Sequence, residues 1–117
     1  MVKSRIVNML FKIKRHLLKQ NRKSRHGGHC KYRGPKGTSC AIGCLIKDEF
    51  YDSIIEKARV NTTVVQTALS LSGYKKLSIN EIFLLSSAQT IHDHRPIDEW
   101  NIQLSNLIQR AKDNNPN

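Results

Sequence analysis

Apolar residues return every three or four positions at the start of the chain. Val2, Ile6, Leu10, Ile13 and Leu17 are separated by steps of four, four, three and four. That spacing puts them on one face of a helix over residues 2–20. Val7, Phe11 and Leu18 widen the face, and Arg5, Asn8, Lys12, Arg15, Lys19 and Lys23 stand opposite it. The pattern fades over residues 20–24. Residues 24–39, SRHGGHCKYRGPKGTS, read as loop, broken at Gly27-Gly28 and again at Gly34-Pro35-Lys36-Gly37. Residues 29–33 and 38–41 can pair across the second break as a small hairpin packed on helices. Pro35 and Gly37 suit the second and fourth places of a β-turn there.

A short helix is expected to open at Ser39 or Cys40 and run through Ile46. Asp48 suits the N-cap of a helix over EFYDSIIEKA, where Phe50 or Tyr51, Ile54, Ile55 and Ala58 share a face. Asn61 can cap TTVVQTALSLS and Gly73 end it, although the β-branched start also fits a strand. Ser78 and Glu81 form the capping-box pattern ahead of IFLLSSAQTI, and that helix should end over residues 92–94. Pro96 suits the first turn of a last helix that buries Ile97, Trp100, Leu104, Leu107, Ile108 and Ala111. The sum is a mainly α, single compact domain of four to five helices, with a short β-hairpin at residues 29–41. It comprises residues 1–112: the basic helix 2–20, a turn-rich motif over 24–47 and a helical remainder. Residues 113–117 form a disordered tail.

Composition narrows this picture. A chain of 117 residues can bury a core without metal or disulfide staples, and with 6% aromatic residues that core is mostly Leu, Ile and Val. No apolar run approaches the ~20 residues of a membrane span, and no apolar stretch of signal-peptide type follows the basic start. Three cysteines, an odd number, argue against a disulfide framework and fit a reducing cytoplasm. Charge is strongly segregated. Residues 1–47 hold thirteen cations and no acid, while residues 48–117 hold seven cations and nine acids. Such a field attracts polyanions: nucleic acid, an acidic protein surface or anionic lipid. The candidate contacts are Arg5, Lys12, Arg15, Lys19, Arg22, Lys23, Arg33 and Lys36. A helix carrying such a ridge can lie along phosphates, rest on a membrane surface or simply present a solvated face.

Specialised chemistry is sparse. His26, His29, Cys30, Cys40 and Cys44 are ligand types that suit zinc, but their spacing matches no common finger or ribbon, and small cysteines also pack as core residues. Cys40 at a helix N-terminus, with His92 as base and Asp93 as its orienting acid, is the one nucleophilic constellation. The alternative for His92 and Asp93 is capping of adjacent helix ends. YRGPKG lacks both GxxxxGK[ST] and GxGxxG, although Arg33 and Lys36 on that turn can meet a single phosphate. No cofactor is implied.

From Cys30 to Tyr51 the chain reads C-x-YRGP-x-G-x-x-CA-x-GCLI-x-DE-x-Y, and Leu85, Gln89, Ile91, His92 and Asp93 spell L-x-x-x-Q-x-I-H-D ahead of Trp100. These strings resemble the hallmark of a family of small proteins from bacteriophages and phage-derived bacterial genes. Lys47 departs from that hallmark, where relatives often carry Pro. The resemblance implies action inside a bacterial host cell. Joined to the charge, it leads to a non-enzymatic phage-type accessory protein that binds nucleic acid or another polyanion through its basic half. The alternatives are an inhibitor or modulator of a host protein, in host takeover or anti-defence, and a Cys40–His92 thiol enzyme.

Overall fold

A computed structural model describes residues 4–114. Residues 2–3 of the expected first helix and residues 115–117 of the expected tail lie outside them. Helix α1 (Arg5–Gln20) opens at Ser4, whose Oγ accepts the Val7 N–H at 3.4 Å. It closes at Asn21, left-handed at φ 52°. An asparagine side chain tolerates that backbone, so the helix can stop without glycine. Ile6, Val7, Leu10, Ile13 and Leu17 are buried, as their spacing required, and Met9 joins them. Met9 is covered because α1 packs on α4 (Trp100–Asn114), on α3 (Ile79–His94) and on a 3₁₀ turn at Gly43–Leu45. Three neighbours bury a wider face than one amphipathic stripe supplies.

Helix α2 (Thr63–Leu71) starts after Thr62, one residue beyond the expected Asn61 cap. It ends in a Schellman arrangement: Tyr74 N–H donates to the Leu69 carbonyl, Gly73 N–H donates to that of Ser70, and Gly73 stands at φ 110°. The capping box at the start of α3 is complete, with both Ser78 and Glu81 engaged. Glu81 also receives two hydrogen bonds from Arg5, at 3.0 and 2.8 Å, tying the starts of α1 and α3 together. Pro96 precedes a 3₁₀ turn, Ile97–Glu99, that leads into α4. Helix α4 buries Trp100, Leu104, Leu107, Ile108 and Ala111, and it runs on through Asp113 and Asn114, which were expected in the tail. Among the described residues no helix is long and apolar enough to cross a membrane.

The mainly α class with a short hairpin stands, but the hairpin lies earlier than residues 29–41. Strands β1 (Arg25–His26) and β2 (His29–Cys30) pair antiparallel, with Arg25 opposite Cys30 and His26 opposite His29. Gly27 and Gly28, at φ 61° and 80°, make the two-residue turn that matches strand twist. Pairing across the second break shrinks to one bridge, Arg33 with Ser39. The turn there runs from Pro35 to Thr38 with Lys36 and Gly37 at positive φ, so Pro35 opens it instead of occupying its second place.

The helices expected over residues 39–46 and 49–58 do not form. The chain makes separate 3₁₀ turns at Gly43–Leu45, Asp48–Phe50 and Ser53–Ile55, joined by extended residues. Distant partners take the groups a helix would have used. The Lys47 N–H donates to Ser72 Oγ at 2.9 Å, and the Ile46 carbonyl accepts from Arg33 at 2.5 Å. Asp48 pairs with the same guanidinium instead of capping a helix. The cap further on is Asp52, which accepts the Ile54 N–H at 3.0 Å.

Candidate functional site

The long motif largely braces itself. The Tyr32 hydroxyl donates to the Ala58 carbonyl at 2.5 Å, and the N–H groups of Tyr32 and Arg33 donate to the Glu56 carboxylate at 3.0 and 3.2 Å. Glu56 also accepts from the Tyr51 hydroxyl at 2.6 Å. Arg33 lies 5.3 Å from the centre of the Tyr51 ring and holds Asp48 and the Ile46 carbonyl. A Cβ on Gly34 would stand 2.4 Å from Ser24 Oγ, and one on Gly43 would stand 2.1 Å from the Tyr32 carbonyl oxygen. Cys40, Ala41 and Ile42 fill the core beside it. Glu56 went unnoticed in the sequence because nothing local marks a carboxylate that will accept from residues more than twenty positions away.

His92 is the second hub. Its side chain is fully buried and stacks on Trp100, ring centres 5.6 Å apart. Nε2 lies 3.0 Å from the Ser24 backbone nitrogen, whose N–H can only donate, so Nε2 supplies the lone pair. Nδ1 therefore carries the proton and donates to Asp93 Oδ1 at 2.8 Å. Asp93 also accepts from Gln89 Nε2 at 2.8 Å, and Gln89 Oε1 accepts the Ile42 N–H at 3.2 Å. Burial pushes the Asp93 carboxyl up, but hydrogen bonds from His92, Cys30 and Gln89 outweigh it and hold it below the ordinary range. The network joins α3 to the segment after α1 and to the motif.

This proton order leaves the Cys40–His92–Asp93 alternative without a free base. Both nitrogens of His92 are engaged, so it has no lone pair for a thiol proton. Cys40 is buried, no α-helix begins at it, and burial drives its thiol pKa up where activation requires it down. The thiol beside Asp93 is Cys30, raised to about 11 by burial and by its hydrogen bond to that carboxylate. Cys44 is raised to about 12 by burial and donates to the Ala41 carbonyl at 3.1 Å.

The zinc candidates are not brought together either. His26, His29, Cys30, Cys40 and Cys44 do not converge: both histidines are exposed on the hairpin, and Cys40 sits in the core. Among the described residues, ligand atoms cluster only at Cys30, His92 and Asp93, within 4.8 Å of one another. A cation on Nδ1 would require a proton on Nε2, aimed at the Ser24 N–H. The cluster fits a hydrogen-bonded network and does not fit a ligand set.

The eight cations chosen for nucleic acid divide. Arg5 is held by Glu81 and donates to the Lys75 carbonyl at 2.7 Å, and Arg33 is held within the motif. Lys23 is half-buried, its amine 3.4 Å from the Asp93 carbonyl. Lys12, Arg15, Lys19, Arg22 and Lys36 are exposed, and their side chains make no hydrogen bond or ion pair to other described residues. Asn8, Lys12, Arg15 and Lys19 form one stripe along α1, and Arg22 follows its C-cap. On one flank of the stripe, Lys112 Nζ lies 5.3 Å from the centre of the Phe11 ring. On the other, Gln20 receives the Ser39 N–H at 2.9 Å and returns a hydrogen bond to the Ser39 carbonyl at 3.1 Å. His16 Nε2 lies 3.0 Å from that carbonyl. The stripe is thus carried by a helix fixed on both sides. No protein-family model, curated protein or solved structure matches the chain.

Proposed function

We propose that the protein is a non-enzymatic accessory protein of phage type that binds the backbone of a nucleic acid through the exposed stripe of α1. One observation carries the reading: Lys12, Arg15 and Lys19 share an outward face with no acidic partner, inside a 47-residue stretch free of acids. Lys12 and Lys19 are separated by about 10 Å of helix, a length over which one strand of a duplex advances about three phosphates along its axis. Lysine and arginine at that spacing suit phosphates. Asn8 is the one side chain of the stripe whose amide suits a base edge, so the reading favours contact with little sequence preference. Phage origin and action in the bacterial cytoplasm rest on the motif resemblance alone.

Titration of labelled duplex DNA and RNA by fluorescence anisotropy tests this. Three neutralised phosphates give a slope of log affinity on log salt of about −2.7 for duplex DNA. Substituting Lys12 and Lys19 together with alanine should bring the slope to about −1. Absence of binding to either polymer at low salt would sink the proposal. The alternative, a modulator of a host protein, has support from Ile79 and Phe83, one turn apart on α3 and 89% and 61% exposed. Capture of a stoichiometric host protein from nuclease-treated lysate, lost on Phe83→Ser, favours that alternative.

A further inference from the structure

A second basic feature lies away from the α1 stripe. A cleft of about 540 Å³ opens between the segment after the hairpin, residues 57–61 and the outer side of α3. None of Lys12, Arg15, Lys19 or Arg22 lines it. Its size suits a small organic ligand. Three cations reach it, Lys31, Lys57 and Arg59, against one carboxylate, Asp93. That carboxylate is already occupied by His92 and Gln89. The three cations make no ion pair or side-chain hydrogen bond to other described residues. The amide of Asn61 and the hydroxyl of Ser86 line the same space and are also without partners among those residues. Tyr32, Ala58 and Val60 supply an apolar wall, and the Tyr32 hydroxyl donates to the Ala58 carbonyl. Lys57 is held left-handed at φ 69°, a backbone that non-glycine residues rarely adopt.

We propose that this cleft binds a small organic phosphate of mononucleotide size. Lys57 and Arg59, two positions apart, would hold the phosphate with Lys31 beside them. Charge-assisted hydrogen bonds of that kind are the strong ones, and an arginine fork matches phosphate oxygens. Asn61 offers donor and acceptor in one plane for a heterocycle edge, Ser86 offers a hydroxyl, and the apolar wall covers the organic part. Asp93 stays ionised, so the cleft sets three cations against one carboxylate, whose Oδ1 already accepts from His92 and Gln89. The proposal does not depend on the α1 stripe.

Calorimetry with AMP, GMP, CMP and UMP, alongside inorganic phosphate and adenosine, tests it on the intact chain. At least one nucleotide should bind at least about tenfold tighter than either adenosine or inorganic phosphate. Lys57→Ala with Arg59→Ala should weaken that nucleotide by about tenfold or more, while Lys12→Ala with Lys19→Ala leaves it within about twofold. NMR on the unaltered protein gives a reading free of folding effects: shifts should fall on residues 30–32, 57–61 and 86–94. Silence towards all four nucleotides at millimolar concentration, equal binding of inorganic phosphate, or shifts along α1 instead would each overturn it.

Discussion

Gly43 shows how one missing side chain holds the motif together. A Cβ there would penetrate the Tyr32 carbonyl, whose oxygen would lie at 2.1 Å, and both segments are fixed by their own hydrogen bonds. Gly27 differs: nothing lies within 4 Å of its hypothetical Cβ, and its φ of 61° alone favours glycine. Gly43→Ala should therefore cost about 3 kcal/mol or more, through forced movement of packed backbone. Gly27→Ala should cost about 1 kcal/mol, the strain of a left-handed alanine. Urea denaturation of both variants gives the comparison, and equal losses would contradict the close packing. Cys30 provides a second check at this scale. With its thiol held up at about 11 by burial and Asp93, its alkylation by iodoacetamide should be slow at neutral pH and keep accelerating to about pH 11. Asp93→Asn should speed it at neutral pH. Rapid labelling of Cys30 in the unaltered protein would refute the network.

Among the elements, those with local signals were legible. The period of α1, the capping box of α3 and the glycine stop of α2 each depend on residues within about one turn of one another, so the sequence carries the whole instruction. Ser78→Ala should remove about 1 kcal/mol by freeing the Glu81 N–H and opening the box, measurable by thermal or urea unfolding. Residues 40–58 have apolar spacing that also suits helices, and there the expectation failed. Arg33, Ser72 and Glu56 capture backbone or side-chain groups of that region or of the motif beside it, and local period says nothing of those partners. The hairpin was misplaced for a related reason. Both breaks carry turn residues, but at the second the chain is pulled into a single bridge while Gly27 and Gly28 close a true two-residue turn.

Across the whole molecule, two carboxylates connect distant parts and make stability depend on pH. Glu81 is held below its ordinary range by hydrogen bonds from Arg5, with smaller help from Ser78, and Asp93 is held down by His92, Cys30 and Gln89 against its burial. A carboxylate whose pKa is lower folded than unfolded binds fewer protons in the native state. Its stabilisation is complete above the unfolded value, about 4, and drains as pH falls through the folded one. Urea midpoints should therefore hold between pH 7 and about pH 5 as far as these two groups are concerned, then fall below about pH 4. Asp93→Asn should flatten that fall, and an unchanged acid profile would argue against the linkage. The charge pattern is also a property of the whole chain, and the fold sorts it. Arg5 and Arg33 are spent on internal contacts, whereas the α1 stripe and the Lys57–Arg59 cleft remain open.

The sequence by itself determined the amphipathic helices, two of their ends and the acid-free basic half, because period, capping and composition act over neighbouring residues. Only the tertiary structure decided which cations stay free, that Cys30 and not Cys40 lies beside Asp93, and which nitrogen of His92 holds the proton. Those outcomes depend on partners far apart in the chain, such as Ser24 and His92, separated by 68 positions. A hydrogen bond across that distance is fixed by the packing of α1, α3 and α4 together, and no local rule contains it.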